Sequence, residues 1–276
     1  MVSLTLASQI SRPEETFFGP ADTPFRSVTN LSFVIWNPLD FVTCLLQPRD
    51  QVLRSFAVIL HTPPVATEVS TLLSALPSPQ CVHSLQSIMV SRIPYIPGIL
   101  SGILACQPLS HEMFHPLTSL VHLRKLVINL NHLTSLNDEE FASLVHNWPL
   151  LEVLQMTQAH GEYPVASITL KGLLSLLMFC RMLRKIGLTL DARDVPVGVY
   201  GDVCSPSITY PIMFQNSPIK RPKLVAEFLL KYLPSVPGVS PSFTWGWSPA
   251  KNAKSFQEYQ RLWLEVNKRI CNPVSS

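Results

Sequence analysis

An α/β solenoid, with a curved parallel sheet on the concave side and helices outside, is the fold class this sequence predicts. Three observations lead to it. The first is an apolar frame, Leu-x-x-Leu-x-Leu-x-Leu with substitutions, that returns along the chain. It reads Val28, Leu31, Phe33, Ile35; Leu53, Phe56, Val58, Leu60; Leu85, Ile88, Val90; Leu123, Leu126, Ile128, Leu130; Leu151, Leu154, Met156; and Leu183, Ile186, Leu188, Leu190. The second is the alternation of the later frame residues with polar or small ones, which is the period of a strand. The third is the helical spacing of apolar residues between frames. The frames start at 28, 53, 85, 123, 151 and 183, so the interval varies between 25 and 38 residues. Recurrence of this kind is the signature of an irregular leucine-rich-repeat solenoid.

The elements follow in order. Residues 1–27 carry Pro13, Gly19, Pro20 and Pro24 with no sustained period, and are expected to form an irregular lead-in. The solenoid is expected over 28–250. Leu39, Val42, Leu45 and Leu46 predict a helix after the first strand, and Val65, Val69, Leu72, Leu73 and Leu76 one after the second. Asn137 and Glu140 fit a capping box, opening a helix with Phe141, Leu144 and Val145 on one face. Leu170, Leu173, Leu174, Leu177 and Met178 predict another, ending near Cys180. Ile208, Tyr210, Ile212 and Phe214 alternate like a strand, Leu224–Leu233 is helical, and Val239 and Phe243 are expected to begin a last strand. Residues 251–276 are expected to form a capping helix. Ser255 and Glu258 read as its capping box, Phe256, Tyr259, Trp263, Val266 and Ile270 as its apolar stripe, and Lys254, Glu258, Arg261, Glu265 and Lys268 as its outer side. One strand–helix unit cannot bury its own apolar face, so neighbours must stack.

The composition narrows the function classes. Charged residues make up 14% of the 276, against about 25% in an average globular protein. The net charge of +3 is small and scattered, so nucleic acid is not expected as a partner. Lys220-Arg221-Pro222-Lys223 is the one tight basic cluster and reads as a solvated loop. No apolar run approaches a membrane span, and no signal peptide is seen. The six cysteines show no C-x-x-C pair. The apolar flanks of Cys44, Cys106 and Cys180 suit buried thiols in a reducing compartment, so the expected location is cytoplasmic or nuclear. Asn30-Leu31-Ser32 fits a glycosylation sequon but lies inside the first frame.

His111-Glu112-Met113-Phe114-His115 matches H-E-x-x-H, a spacing that puts two imidazoles one helical turn apart for zinc, with the Glu as base. Glu139, 24 residues beyond His115, is where a third ligand could sit. Against this, Pro108 and Pro116 bracket the motif, and Pro116 disfavours the α region at His115. A loop before the fourth strand is expected instead, with the two rings diverging, and no metal or other cofactor. Asp138, Glu139 and Glu140 read as a first-turn acidic cluster favoured by the helix dipole. No nucleophile elbow or phosphate-binding glycine loop is present, and an enzyme is not expected.

Two stretches resemble a known family. Asn137–Asp191 contains Asn-Asp-Glu-Glu-Phe-Ala-Ser-Leu-Val-His-Asn-Trp-Pro-Leu-Leu-Glu-Val-Leu-Gln-Met, then Ile-Thr-Leu-Lys-Gly-Leu-Leu-Ser-Leu-Leu, then Cys-Arg-Met-Leu-Arg-Lys-Ile-Gly-Leu-Thr-Leu-Asp. With Val225–Leu229, Leu233-Pro234 and the Tyr259–Val266 helix, it resembles the repeat region of F-box leucine-rich-repeat proteins, especially those of mushroom-forming fungi. The resemblance implies repeats that hold a protein substrate for a cullin-type ubiquitin ligase. Residues 1–27 show no Leu-Pro-x-Glu-like helix and no Cys-x-x-Trp-like ending, so the F-box module is not seen. The expected function is a monomeric, non-enzymatic protein-interaction module whose partner is an unidentified protein. A degenerate or truncated paralogue with a purely structural role is the alternative, and a zinc hydrolase acting through His111-Glu112-x-x-His115 is the third reading, after it. Since leucine-type positions point inward, the residues between and just after them face the concave side. The candidate contacts are Trp36, His61, Asn129, Asn131, Gln155, Thr157, Thr189 and Asp191.

Overall fold

Alternation decides where the strands run. The computed structural model describes residues 2–8, 28–35, 52–62, 64–79, 81–93, 108–130, 134–157, 167–198, 205–214, 217–240 and 253–272. Within them, β1 (Val2–Ser8), β2 (Val28–Ile35), β3 (Ser55–Leu60), β4 (Ser87–Arg92), β5 (Lys125–Asn129), β6 (Val153–Met156), β7 (Lys185–Leu188), β8 (Ile212–Met213) and β9 (Val239–Ser240) form one sheet. All nine strands are parallel, and each pairs with its neighbours in sequence. The protein is therefore an α/β molecule with a single all-parallel sheet.

The frame residues stack in register. Leu31, Phe56, Ile88, Leu126, Leu154 and Ile186 form one row across six strands, and Phe33, Val58, Val90, Ile128, Met156 and Leu188 form the next. Every one of these side chains is at most 4% exposed. Burying an apolar side chain of this size contributes about 1.5–3 kcal/mol. The rows therefore set the register, because a slip of one residue would turn both rows out to solvent.

The lead-in expectation is corrected at its start. Residues 2–8 form β1, in which Leu4 pairs in register with Leu31 and Leu6 with Phe33. Val2, Leu4 and Leu6 alternate with Ser3, Thr5 and Ala7, a period-two pattern that suits a strand docking on an existing row. Late in the chain the strands are shorter than expected. Of the alternating stretch 208–214, only Ile212–Met213 pairs, and β9 is confined to Val239–Ser240.

Helices cover one side of the sheet. They are α1 (Ala66–Ala75), α2 (His111–Phe114), α3 (Asp138–Val145), α4 (Leu170–Phe179), α5 (Pro222–Tyr232) and α6 (Ala253–Cys271). The expected helix at 39–46 lies outside the described residues, as do Phe243, Cys44, Cys106 and Cys204. The Asn137 capping box forms: its Oδ1 accepts from the N–H of Glu139 and of Glu140, both at 2.9 Å, and Glu140 accepts from the Asn137 N–H. Asp138 does more than complement a helix dipole. Its carboxylate accepts from the Thr169 N–H at 2.7 Å, the Thr169 hydroxyl at 2.7 Å and the Gly172 N–H at 2.9 Å. It thus caps the start of α4 from the repeat before.

Further cross-links satisfy the ends of helices and turns. Trp148, fully buried, donates from Nε1 to the Leu117 carbonyl at 3.0 Å. The Cys180 thiol lies 3.5 Å from the Val145 carbonyl and 3.4 Å from that of Trp148. Burial pushes this thiol up to about 12. A thiol whose folded pKa exceeds its unfolded value stabilises below the unfolded pKa, about 8.5. That contribution falls as pH rises from there toward the folded value. Iodoacetamide at pH 8 should therefore modify exposed Cys271 while sparing Cys180 until the chain is unfolded. Labelling of Cys180 at the rate of Cys271 in folded protein would contradict its enclosure.

The C-terminal helix closes the last repeat. Trp263, Val266 and Ile270 are buried, and Trp263 stacks 4.7 Å from Phe214 and donates to the Ser217 carbonyl at 2.8 Å. Asn267 Oδ1 accepts from the N–H of Val239 at 2.8 Å, on β9 itself. The approach requires Gly238, whose φ is 145° and where an added Cβ would stand 2.6 Å from Asn267 Oδ1. The expected capping box at Ser255 is corrected. The helix begins at Ala253, so Ser255 lies inside it, and Glu258 is drawn to Arg261, with contacts of 2.7 and 3.0 Å.

Candidate interaction face

A strand that buries every second side chain presents the others on its opposite face. Those positions form rows as regular as the core rows. One row runs Ser32, Ala57, Met89, Val127, Gln155, Gly187, Met213 and Ser240. The next runs Val34, Ile59, Ser91 and Asn129. Neither row carries a charged residue. Among the described residues, this is the face of the sheet not packed under helices.

The eight expected contacts do not all stand on this face as open groups. Asn129 and Gln155 stand on it, half-buried and each with a neighbouring partner. His61 is half-buried just beyond β3, its N–H continuing the ladder to the Ile35 carbonyl at 3.0 Å. Thr157 and Thr189 are 6% and 3% exposed, so they support the face rather than display themselves. For Thr157 the reason is lateral: its hydroxyl donates to Asn129 Oδ1, so the side chain one strand away covers it. Val127, central in its row, is 4% exposed for the same geometric reason, lying between Met89 and Gln155. Asp191 is engaged by Arg193, whose Nη2 lies 2.7 Å from Oδ2. Trp36 and Asn131 lie outside the described residues.

Alternation alone does not reveal Met213. The Gln155 amide points to its sulfur at 3.9 Å. Both side chains meet above Gly187, where an added Cβ would stand 3.1 Å from Met213 Cε and 3.3 Å from Gln155 Cγ. The glycine on β7 is what lets side chains from β6 and β8 converge. Its sequence trace is the break in an otherwise side-chain-bearing row, a known mark of close approach across a strand.

The H-E-x-x-H segment departs from the expected loop. Residues His111–Phe114 are helical and continue as a 3-10 turn over His115–Ser119. His115 keeps α-helical angles, φ −52° and ψ −39°, despite Pro116. Its N–H bonds back to the His111 carbonyl. Pro116 falls in the first turn of the 3-10 segment, where a missing N–H leaves nothing unpaired. The two imidazoles lie 6.0 Å apart, edge to face. Glu112 accepts from the Ser110 hydroxyl at 3.0 Å. Glu139 gives only its backbone N–H to the Asn137 cap, and its side chain is exposed. Among the described residues, no group of three His, Cys, Asp or Glu side chains is placed to hold a metal. Nor, among those residues, is any helix long and apolar enough to cross a membrane.

No protein-family model matches this chain, and no curated protein matches it.

Proposed function

We propose that this chain is a leucine-rich-repeat solenoid acting as a non-enzymatic protein-interaction module, akin to the substrate-holding repeats of F-box ubiquitin-ligase receptors. The observation that carries the proposal is the open face: uncharged rows of side chains, in strict lateral register across strands β2 to β9. Sequential parallel strands, stacked frame rows and variable repeat length support the repeat assignment. The two rows carry no ions and recognise by shape and hydrogen bonds, so binding centred on them should change little with salt. The partner is a protein, and Asn129 and Gln155 are the polar groups best placed to meet it.

A specific observation favours the second reading, a degenerate paralogue with a structural role. Asn129 is already bonded to Thr157, and Gln155 to Met213, so both polar groups have partners at home. Pull-down from native extract, with wild type and an Asn129→Arg/Gln155→Arg variant, separates the readings. On the first, specific partners captured by wild type are lost from the variant and survive high salt. Retention of every partner by the variant would remove the open face as the site. Absence of any partner from wild type would favour the structural role.

A further inference from the structure

The end of the sheet where the strands begin carries charge that the two central open-face rows lack. Just before the strands, a backbone ladder runs across the repeats: Arg54 N–H to Thr29 carbonyl, Gln86 to Arg54, Arg124 to Gln86, Glu152 to Arg124, and Arg184 to Glu152, at 2.7–2.8 Å. The ladder fixes these residues in one line. The next position along each strand forms a second line, with Ser87 beside Lys125 and Val153 beside Lys185. Cations therefore recur at the start of alternate strands: Arg54 just before β3, Arg124 just before and Lys125 opening β5, Arg184 just before and Lys185 opening β7. Gln86 and Glu152 stand between them. Arg54, Arg124 and Arg184 are exposed. Of these five cations, Arg124 is ion-paired to a described residue, Glu152, at 2.6 Å. Lys185 lies 5.6 Å over the ring of Tyr210, which is 55% exposed.

We infer that this rim is a docking site for an acidic peptide segment in polyproline II conformation, with carboxylates at every third residue. The inference does not rest on the open-face reading. Its basis is spacing and charge. Neighbouring strands lie about 4.8 Å apart, so cations on alternate strands recur about every 9.6 Å. A polyproline II helix has three residues per turn and rises about 3.1 Å per residue, so one of its faces repeats about every 9.3 Å. A β-strand repeats its face about every 6.7 Å and falls out of step. Glu152 selects the class of partner. A peptide can place an uncharged residue opposite it, whereas a nucleic acid brings a phosphate at every step.

The test uses a fluorescein-labelled peptide of repeating Glu-Pro-Pro, followed by fluorescence anisotropy. The comparison peptide has the same composition with its glutamates bunched at one end. The repeating peptide should bind the full chain more tightly than the bunched one. Its binding should weaken about tenfold in Arg184→Glu/Lys185→Glu, and by a smaller factor in Arg54→Glu, four strands away. It should also fall as salt rises from about 0.1 M to about 1 M, where the screening length drops from about 10 Å to about 3 Å. Lys220→Glu/Lys223→Glu, in the other basic cluster, should bind as wild type does. Unchanged melting temperatures establish that the variants are folded, and Arg54→Glu alone serves if the double variant is not. Equal binding of the two peptides would overturn the spacing argument. Equal loss in Lys220→Glu/Lys223→Glu would reduce the effect to bulk charge. Single-stranded oligothymidine binding as tightly, and lost in the same rim variants, would transfer the rim to nucleic acid. Each of these results leaves the pull-down with Asn129→Arg/Gln155→Arg unaffected, so the two proposals fail separately.

Discussion

Replacing Trp263 with alanine is expected to cost about 3–5 kcal/mol, the range for large aromatic truncations in a core. Trp263 is 2% exposed, its ring packs on Phe214, and its N–H satisfies the Ser217 carbonyl. The substitution removes the packing and leaves that carbonyl unpaired in a buried setting, which adds to the loss. The damage should be local. Because each repeat touches only its neighbours, the C-terminal end should open before the middle. Hydrogen exchange would register this as faster exchange at Val239 and Ile212, with Leu126 and Ile128 still protected. Uniform acceleration along the chain, or a loss below about 1 kcal/mol, would show that α6 does not act as an end cap.

Leu154→Ala should cost on the order of 2–5 kcal/mol in denaturant melting. The side chain is fully buried between Leu126 on β5 and Ile186 on β7. Its loss leaves a cavity in the middle of the row, where strands fixed by ladders on both sides have little freedom to collapse. A cost under about 1 kcal/mol would mean that the row is not closely packed there.

The rows were readable in advance because a strand buried on one face repeats every second residue, and a Leu or Ile at that position has nowhere else to go. The Asn137 box was readable because cap and box partner are three residues apart on one chain segment. The same pattern failed at Ser255, where Arg261, three residues beyond Glu258, competes for its carboxylate. His115 kept its helical angles because one hydrogen bond to His111 and the 3-10 turn beyond outweigh the preference imposed by Pro116. The candidate face was legible as a set of positions but not as a set of exposures. Whether Thr157 is open depends on Asn129, 28 residues earlier, and the closure over Gly187 depends on Met213 and Gln155 reaching from opposite sides. The basic rim is invisible to net charge and to local motifs alike. It exists only because register brings residues 54, 124 and 184 onto one line.

The strand order has a mechanical consequence. Since β1 and β9 lie at opposite ends of the sheet, tension applied at the described ends pulls along the interstrand hydrogen bonds and across the strands. Such loading peels bonds a few at a time instead of shearing a whole ladder at once. The protein is therefore built to yield stepwise under stretch, repeat by repeat, and the short pairings of β7 with β8 and β8 with β9 are where extension should begin once the Asn267 and Trp263 contacts let go.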